Sequence, residues 1–317
     1  MSSLRIKQVN SLIHLYVIKS KKSVIYYMKI ERILDYMVLS ASILLAAILI
    51  YGLLTYNILV WRFFSILGEE ELYVILCITT YILIDPDLGI SLFGLVILSG
   101  SLNILLKELF SIPRPPRELW LEEVEGPGFP SGHTQVATSF WSRFSFQMRR
   151  KSIYLFSLIC CTGIGLSRIM LRVHSIVDVL GGYLFGLTIS LLTYMVWLRI
   201  PREKSLILIN IIAIAVSVIA VGISEFYLET SWSLLGVALG LLMYYPVRRR
   251  VYLKTLRSLE RIGVFIVTLV AAFTTLYYLK KLIIIEPIAL FVYFAVTILI
   301  ITLPIMLANI IERALAK

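Results

Sequence analysis

Apolar residues in this chain come in long runs separated by short charged loops. A helix needs ~20 apolar residues to cross a ~30 Å hydrocarbon layer. Runs near 36–60, 89–109, 152–170, 176–198, 204–226, 231–247, 258–280 and 284–312 approach or exceed that length. Shorter runs at 70–84 and 132–147 bring the expected number of spans to about ten. The 70–84 run stops at Asp85-Pro86-Asp87, a turn signal. The pattern predicts an all-α fold, a polytopic membrane helical bundle.

Composition agrees. Of 317 residues, 59% are hydrophobic and 15% charged, against about 25% charged in soluble domains. A soluble protein with a very large core would not arrange its apolar residues in so many uncharged runs. The net charge of +11 would suggest nucleic acid in a soluble chain. Here the loops explain it without any nucleic-acid partner. Ten spans place Arg149-Arg150-Lys151, Arg199, Arg202, Lys204, Arg248-Arg249-Arg250, Lys254 and Arg257 on the side of the N-terminus. They place Glu69-Glu70-Glu71, Glu118, Glu122, Glu123, Glu125, Glu225 and Glu229 opposite. By the positive-inside rule both termini are expected to be cytoplasmic, in a multi-pass protein of the cell membrane. Lys280 and Lys281 are the main exception. Cys77, Cys160 and Cys161 all fall in apolar runs, so no disulfide framework is expected.

Three regions follow. Residues 1–33 form a basic segment, read either as lying on anionic membrane lipid or as a solvated tail. Residues 34–198 hold six spans and nearly all the unusual polar residues. Residues 199–317 add about four spans, with Gly236-xxx-Gly240 as a possible close-packing face.

Charges in membrane spans call for a partner or a function. Three clusters fall on the acidic side: 107-KELFSIPRPP-116, 130-PSGH-133 and 167-SRIMLRVHSIVD-178. Lys107, Arg114 and Arg168 are cations with few local acids, a set suited to phosphate oxygens. Ser131-Gly132-His133 opens a helix, where free backbone N–H groups and the positive dipole end favour an anion. The Ser131 hydroxyl can bond that anion or cap the helix. His174 and Asp178 are four apart, which on a helix puts them on one face. A carboxylate on one ring nitrogen leaves the other free as a nucleophile. His133 can then protonate a leaving oxygen. The set reads as phosphoryl transfer through a phosphohistidine. A zinc site would be repelled by the same cations, so no metal or cofactor is expected.

The motifs K-x6-R-P, P-S-G-H and S-R-x5-H-x3-D resemble the tripartite signature of the type-2 phosphatidic acid phosphatase superfamily. The resemblance covers about 34–198 and implies a six-helix phosphatase core, extended here by about four transmembrane helices. It implies His174 as nucleophile, Asp178 as its orienting partner and His133 as general acid. It implies Lys107, Arg114, Ser131, Gly132 and Arg168 as phosphate ligands, metal-independent catalysis and sensitivity to vanadate. Arg172 stands where relatives often carry Gly, as a second phosphate ligand or as an interfacial anchor. The expected activity is hydrolysis of a lipid phosphate or diphosphate, a polyprenyl carrier first, at the non-cytoplasmic surface. A lipid phosphotransferase and a glucose-6-phosphatase-like enzyme are the alternatives, and a transporter is disfavoured by charges gathered at one surface.

Overall fold

Helix caps set the boundaries along the chain. The computed structural model describes residues 32–248, 256–281 and 285–315. The basic segment 1–33 thus lies outside the described residues up to position 31, as do Arg249, Arg250 and Lys254. Helix α1 (Arg32–Thr55) breaks earlier than the apolar run implies. Tyr56 takes a left-handed backbone and Asn57 caps a short α2 (Ile58–Ile66) by accepting from Leu59 N. Helix α3 (Glu70–Thr79) runs through a π turn, Thr80–Ile84. Asp85 then caps α4 (Pro86–Phe110), accepting from Leu88 N at 3.1 Å with Pro86 in the first turn. After the loop 111–131 come α5 (Gly132–Met148), α6 (Lys151–Met170), α7 (Ile176–Arg199) and α8 (Arg202–Ile223). Helices α9 (Leu228–Leu241), α10 (Tyr244–Val247), α11 (Ser258–Lys280) and α12 (Glu286–Leu315) complete the bundle.

Among the described residues there is no strand, and eight helices are long and apolar enough to cross a membrane. Of the ten expected spans, α3, of 10 residues, and α5, of 17, are the short ones. Both still run between the two ends of the bundle, α3 with its π turn from Glu70 to Ile84 and α5 from Gly132 to Met148. Helix α5 is also polar, and α4, α6 and α7 pack around it. Its Gln135, Ser139 and Arg143 are fully buried in protein. The outward faces of the long helices expose Leu44, Leu158, Leu184 and Phe291, as lipid-facing surfaces do.

Opposite ends of the bundle carry opposite chemistry. At one end Arg248 grips Asp87 with two bonds of 2.8 Å, Tyr244 donates to the same carboxylate, and Arg150 pairs with Asp35. At the other end lie the three polar clusters. Lys281 there stacks over Tyr277 at 4.5 Å.

Close backbone approach locks two helix pairs. On α9, a Cβ added at Gly236 would stand 2.3 Å from Leu290 O, and one at Gly240 2.6 Å from Thr297 Cβ. The Gly236-xxx-Gly240 face thus packs on α12 as its spacing suggested. A second such pair, Gly182 and Gly186 of α7, meets Ser131 O and Gln135 O of the α5 segment at 2.8 and 2.5 Å from the added Cβ. Leu at Gly236 must push α9 off α12, and overpacking of this kind costs about 1–3 kcal/mol. Gly236→Leu is therefore expected to lower the thermal midpoint of the purified protein by several degrees. An unchanged midpoint would show that the contact is loose.

Candidate active site

Each motif reaches the site from a helix end. Lys107 occupies the last turn of α4 and is buried, with Nζ donating to Pro127 O and 3.4 Å from Tyr227 Oη. Arg114 lies in the loop 111–131 and splays its fork over backbone and imidazole. Nε donates to Gly126 O and Nη2 to Glu125 O, both at 2.9 Å. Nη1 reaches Val173 O at 3.0 Å and His174 Nε2 at 2.9 Å.

That last contact fixes the tautomer. Arginine offers only donors, so His174 Nε2 presents its lone pair and the ring proton sits on Nδ1. Nδ1 faces Asp178 Oδ2 at 3.4 Å. The same carboxylate oxygen accepts from Ser175 N at 2.7 Å, while Ser175 Oγ accepts from Asp178 N. This is a capping box at the start of α7. The i, i+4 spacing therefore works differently from a helix face. His174 precedes the helix, Ser175 caps it, and Asp178 reaches back from its first turn. Burial pushes the His174 imidazole well below its ordinary value, so the ring stays neutral.

Ser131 sits at the head of α5, fully buried. Its N–H donates to Asp178 O at 2.9 Å, and its hydroxyl accepts from Thr134 Oγ1. It neither caps α5 with its side chain nor lines the cavity. It joins the second motif to the third through backbone. Gly132 and His133 do line the cavity. His133 Nε2 faces Glu69 Oε1 at 3.3 Å, and that hydrogen bond holds the Glu69 carboxyl below its ordinary value. Arg168, at the end of α6, is 2% exposed and binds Glu122 Oε2 at 2.6 Å and Ser65 Oγ. Its Nε meets no acceptor among the described residues while the side chain lines the cavity.

The structure thus gathers Lys107, Arg114, Gly132, His133, Arg168 and His174 around one cavity of about 360 Å³, with Asp178 behind His174. Arg172 is exposed and off the cavity wall. Of the three cations only Arg168 forms an ion pair among the described residues, with Glu122, while Glu69 faces His133. Neither acid is marked by local sequence, because the turn before α3 and the loop 111–131 bring them in. Asn103 was also missed, though it lies one turn before Lys107 on the same face of α4. It donates to Pro130 O and Gln135 Oε1, bracing the start of α5. Tyr227 comes from the α8–α9 connection and donates to Glu125 O at 2.8 Å. No pattern in the sequence points to it.

Residues 88–202 match the family model described as PAP2 superfamily. Three relatives share 30% identity with this chain. Sphingosine-1-phosphate phosphatase 2 of Mus musculus aligns over 46% of this chain and 44% of its own length. Lipid A 1-phosphatase of Rhizobium etli aligns over 35% and 51%. Phosphatidylglycerophosphatase B of Bacillus subtilis aligns over 29% and 49%. The chain thus spans about half the length of these relatives. No solved structure matches it significantly.

Arg172 carries a backbone φ of +61°, where a side chain costs about 1–2 kcal/mol and glycine sits without strain. A glycine at that position would carry no such strain. Arg172→Gly is expected to stabilise the fold by about 0.5–1 kcal/mol and to leave the cavity intact. Lower stability in thermal unfolding would mean that the Arg172 side chain makes up for its strained backbone.

Proposed function

We propose that this protein is a metal-independent phosphatase of lipid phosphates or diphosphates, acting through a phosphohistidine at position 174. The observation that carries this reading is the 2.9 Å contact of Arg114 Nη1 with His174 Nε2. It marks Nε2 as the nitrogen that carries the neutral ring's lone pair on the side of the phosphate-binding cations, and a bound phosphate that takes the Arg114 guanidinium frees that lone pair for attack. His174 Nε2 attacks phosphorus and the bond from phosphorus to the lipid oxygen breaks. The leaving oxygen takes the proton held between His133 and Glu69. Asp178 stabilises the positive charge that grows on the attacking ring. Water then attacks phosphorus, returns its proton to His133, and phosphate leaves with the P–N bond broken. Lys107, Arg114, Arg168 and the first turn of α5 hold the phosphoryl oxygens throughout.

Three supports stand beside the geometry: the superfamily match over 88–202, relatives named as lipid phosphatases, and eight helices fit to cross a membrane. The segment 34–198, which holds α1 to α7, supplies the reacting groups in this reading. A polyprenyl phosphate or diphosphate is the first substrate to test. The site lies at the bundle end away from Arg150, Arg202 and Arg248, which makes it the non-cytoplasmic end by the charge rule.

The test is phosphate release from polyprenyl diphosphate, phosphatidate, sphingosine phosphate and glucose 6-phosphate, with a chelator present. His174→Ala is expected to reduce turnover at least a thousandfold, and His133→Ala about a hundred- to ten-thousandfold. Retained activity in His174→Ala, or a requirement for added metal, would overturn the mechanism. The pH profile gives a separate check. The attacking ring must be neutral and burial depresses its pKa, so the acid limb of the profile is expected below the ordinary histidine value of ~6.5. An acid limb of kcat/KM at or above that value would contradict a buried nucleophile.

A further inference from the structure

The phosphate cavity does not end at the polar residues. A second, apolar cleft of about 220 Å³ adjoins it and shares five of its wall residues, Glu70, Gly100, Val136, Thr230 and Leu234. Its polar groups gather at the site end of the bundle. Glu70 and Glu229 begin α3 and α9, and Lys280 ends α11. Deeper in, the walls turn apolar with Cys77, Phe93, Val96, Ile97 and Val237. The cleft follows α4 from Gly100 to Phe93 and α9 from Thr230 to Val237, about 10 Å along each axis at 1.5 Å per residue. One wall is α3 and α4. The other is built by α9, α11 and α12, which lie outside the superfamily segment 88–202.

We propose that this cleft receives the hydrocarbon chain of the substrate, so that the C-terminal helices form the tail-binding wall of the catalytic site. The proposal rests on the phosphatase reading for its substrate, but its occupant follows from continuity. A phosphate held by Arg114 and Lys107 places the attached chain at the shared wall. The apolar walls beyond it give that chain a surface that water covers unfavourably. The arrangement also explains Tyr227. It stands where the second half meets the first, touching Lys107 and Glu125 at the mouth.

The larger apolar groove between α5, α6 and α7, about 810 Å³ and lined by Leu158, Leu180 and Leu187, is the competing path. It shares no wall residue with the phosphate cavity. Continuity therefore favours the cleft.

The experiment uses the full chain in lipid nanodiscs and compares two monoesters, hexadecyl phosphate and the chainless p-nitrophenyl phosphate. Val96→Phe and Val237→Phe fill the cleft from opposite walls, and Leu180→Phe fills the competing groove. Each cleft variant is expected to raise KM for hexadecyl phosphate at least tenfold while hydrolysing p-nitrophenyl phosphate within twofold of the parent. Leu180→Phe should change neither. Unchanged KM for the long-chain ester in both cleft variants would overturn the proposal, as would a rise caused by Leu180→Phe instead. A turnover-independent readout separates this proposal from the phosphatase reading. Hexadecylphosphonate should raise the thermal midpoint of the parent and of Leu180→Phe, but not of the two cleft variants. If the parent hydrolyses neither ester, the phosphatase reading falls and the thermal shift alone judges the cleft. An equal shift in all four proteins sinks it.

Discussion

The site depends on how closely α7 approaches α5. Gly182 and Gly186 bring the α7 backbone against the carbonyls of Ser131 and Gln135, and Ser131 N closes the contact on Asp178 O at 2.9 Å. That contact sets the distance between the second and third motifs. It places the first turn of α5 beside His174, and it buries Asp178 where Ser175 can pin its carboxylate. A looser crossing would leave the same residues present but misaligned.

Burial of like charges is the second constraint. Lys107, Arg114 and Arg168 face one cavity, and each needs acceptors to remain charged away from water. The chain supplies them largely from backbone. The carbonyls of Glu125, Gly126, Pro127 and Val173 take donors from Lys107 and Arg114, while Glu122 and Ser65 take Arg168. The loop 111–131 is therefore part of the site. It is shaped by the cations it solvates, and in turn it holds their heads toward the cavity.

The two halves of the chain are packed together and do not behave as core and appendage. Helix α8 lies along α4, with Ser101 and Ser217 sharing a hydrogen bond of 2.7 Å. Arg248 clamps Asp87 at one end, and Tyr227 enters the site at the other. The match to the family model ends at residue 202, yet the cavity wall continues past it to Thr230 and Leu234.

Hydrophobic run length determined the all-α bundle, because only a helix satisfies its own backbone in hydrocarbon. The spacing of rare charges in those runs determined which residues could meet a phosphate, since a charge in a span is too costly to be idle. Tertiary structure alone decided the rest. It made two of the expected spans, α3 and α5, short helices sheltered in the bundle, with neighbouring helices packed around them. It supplied Glu69, Glu122 and Tyr227 from distant segments, which no local pattern announces. It also chose which ring nitrogen of His174 faces the cavity, because that choice belongs to Arg114, sixty residues away in sequence and 2.9 Å away in space.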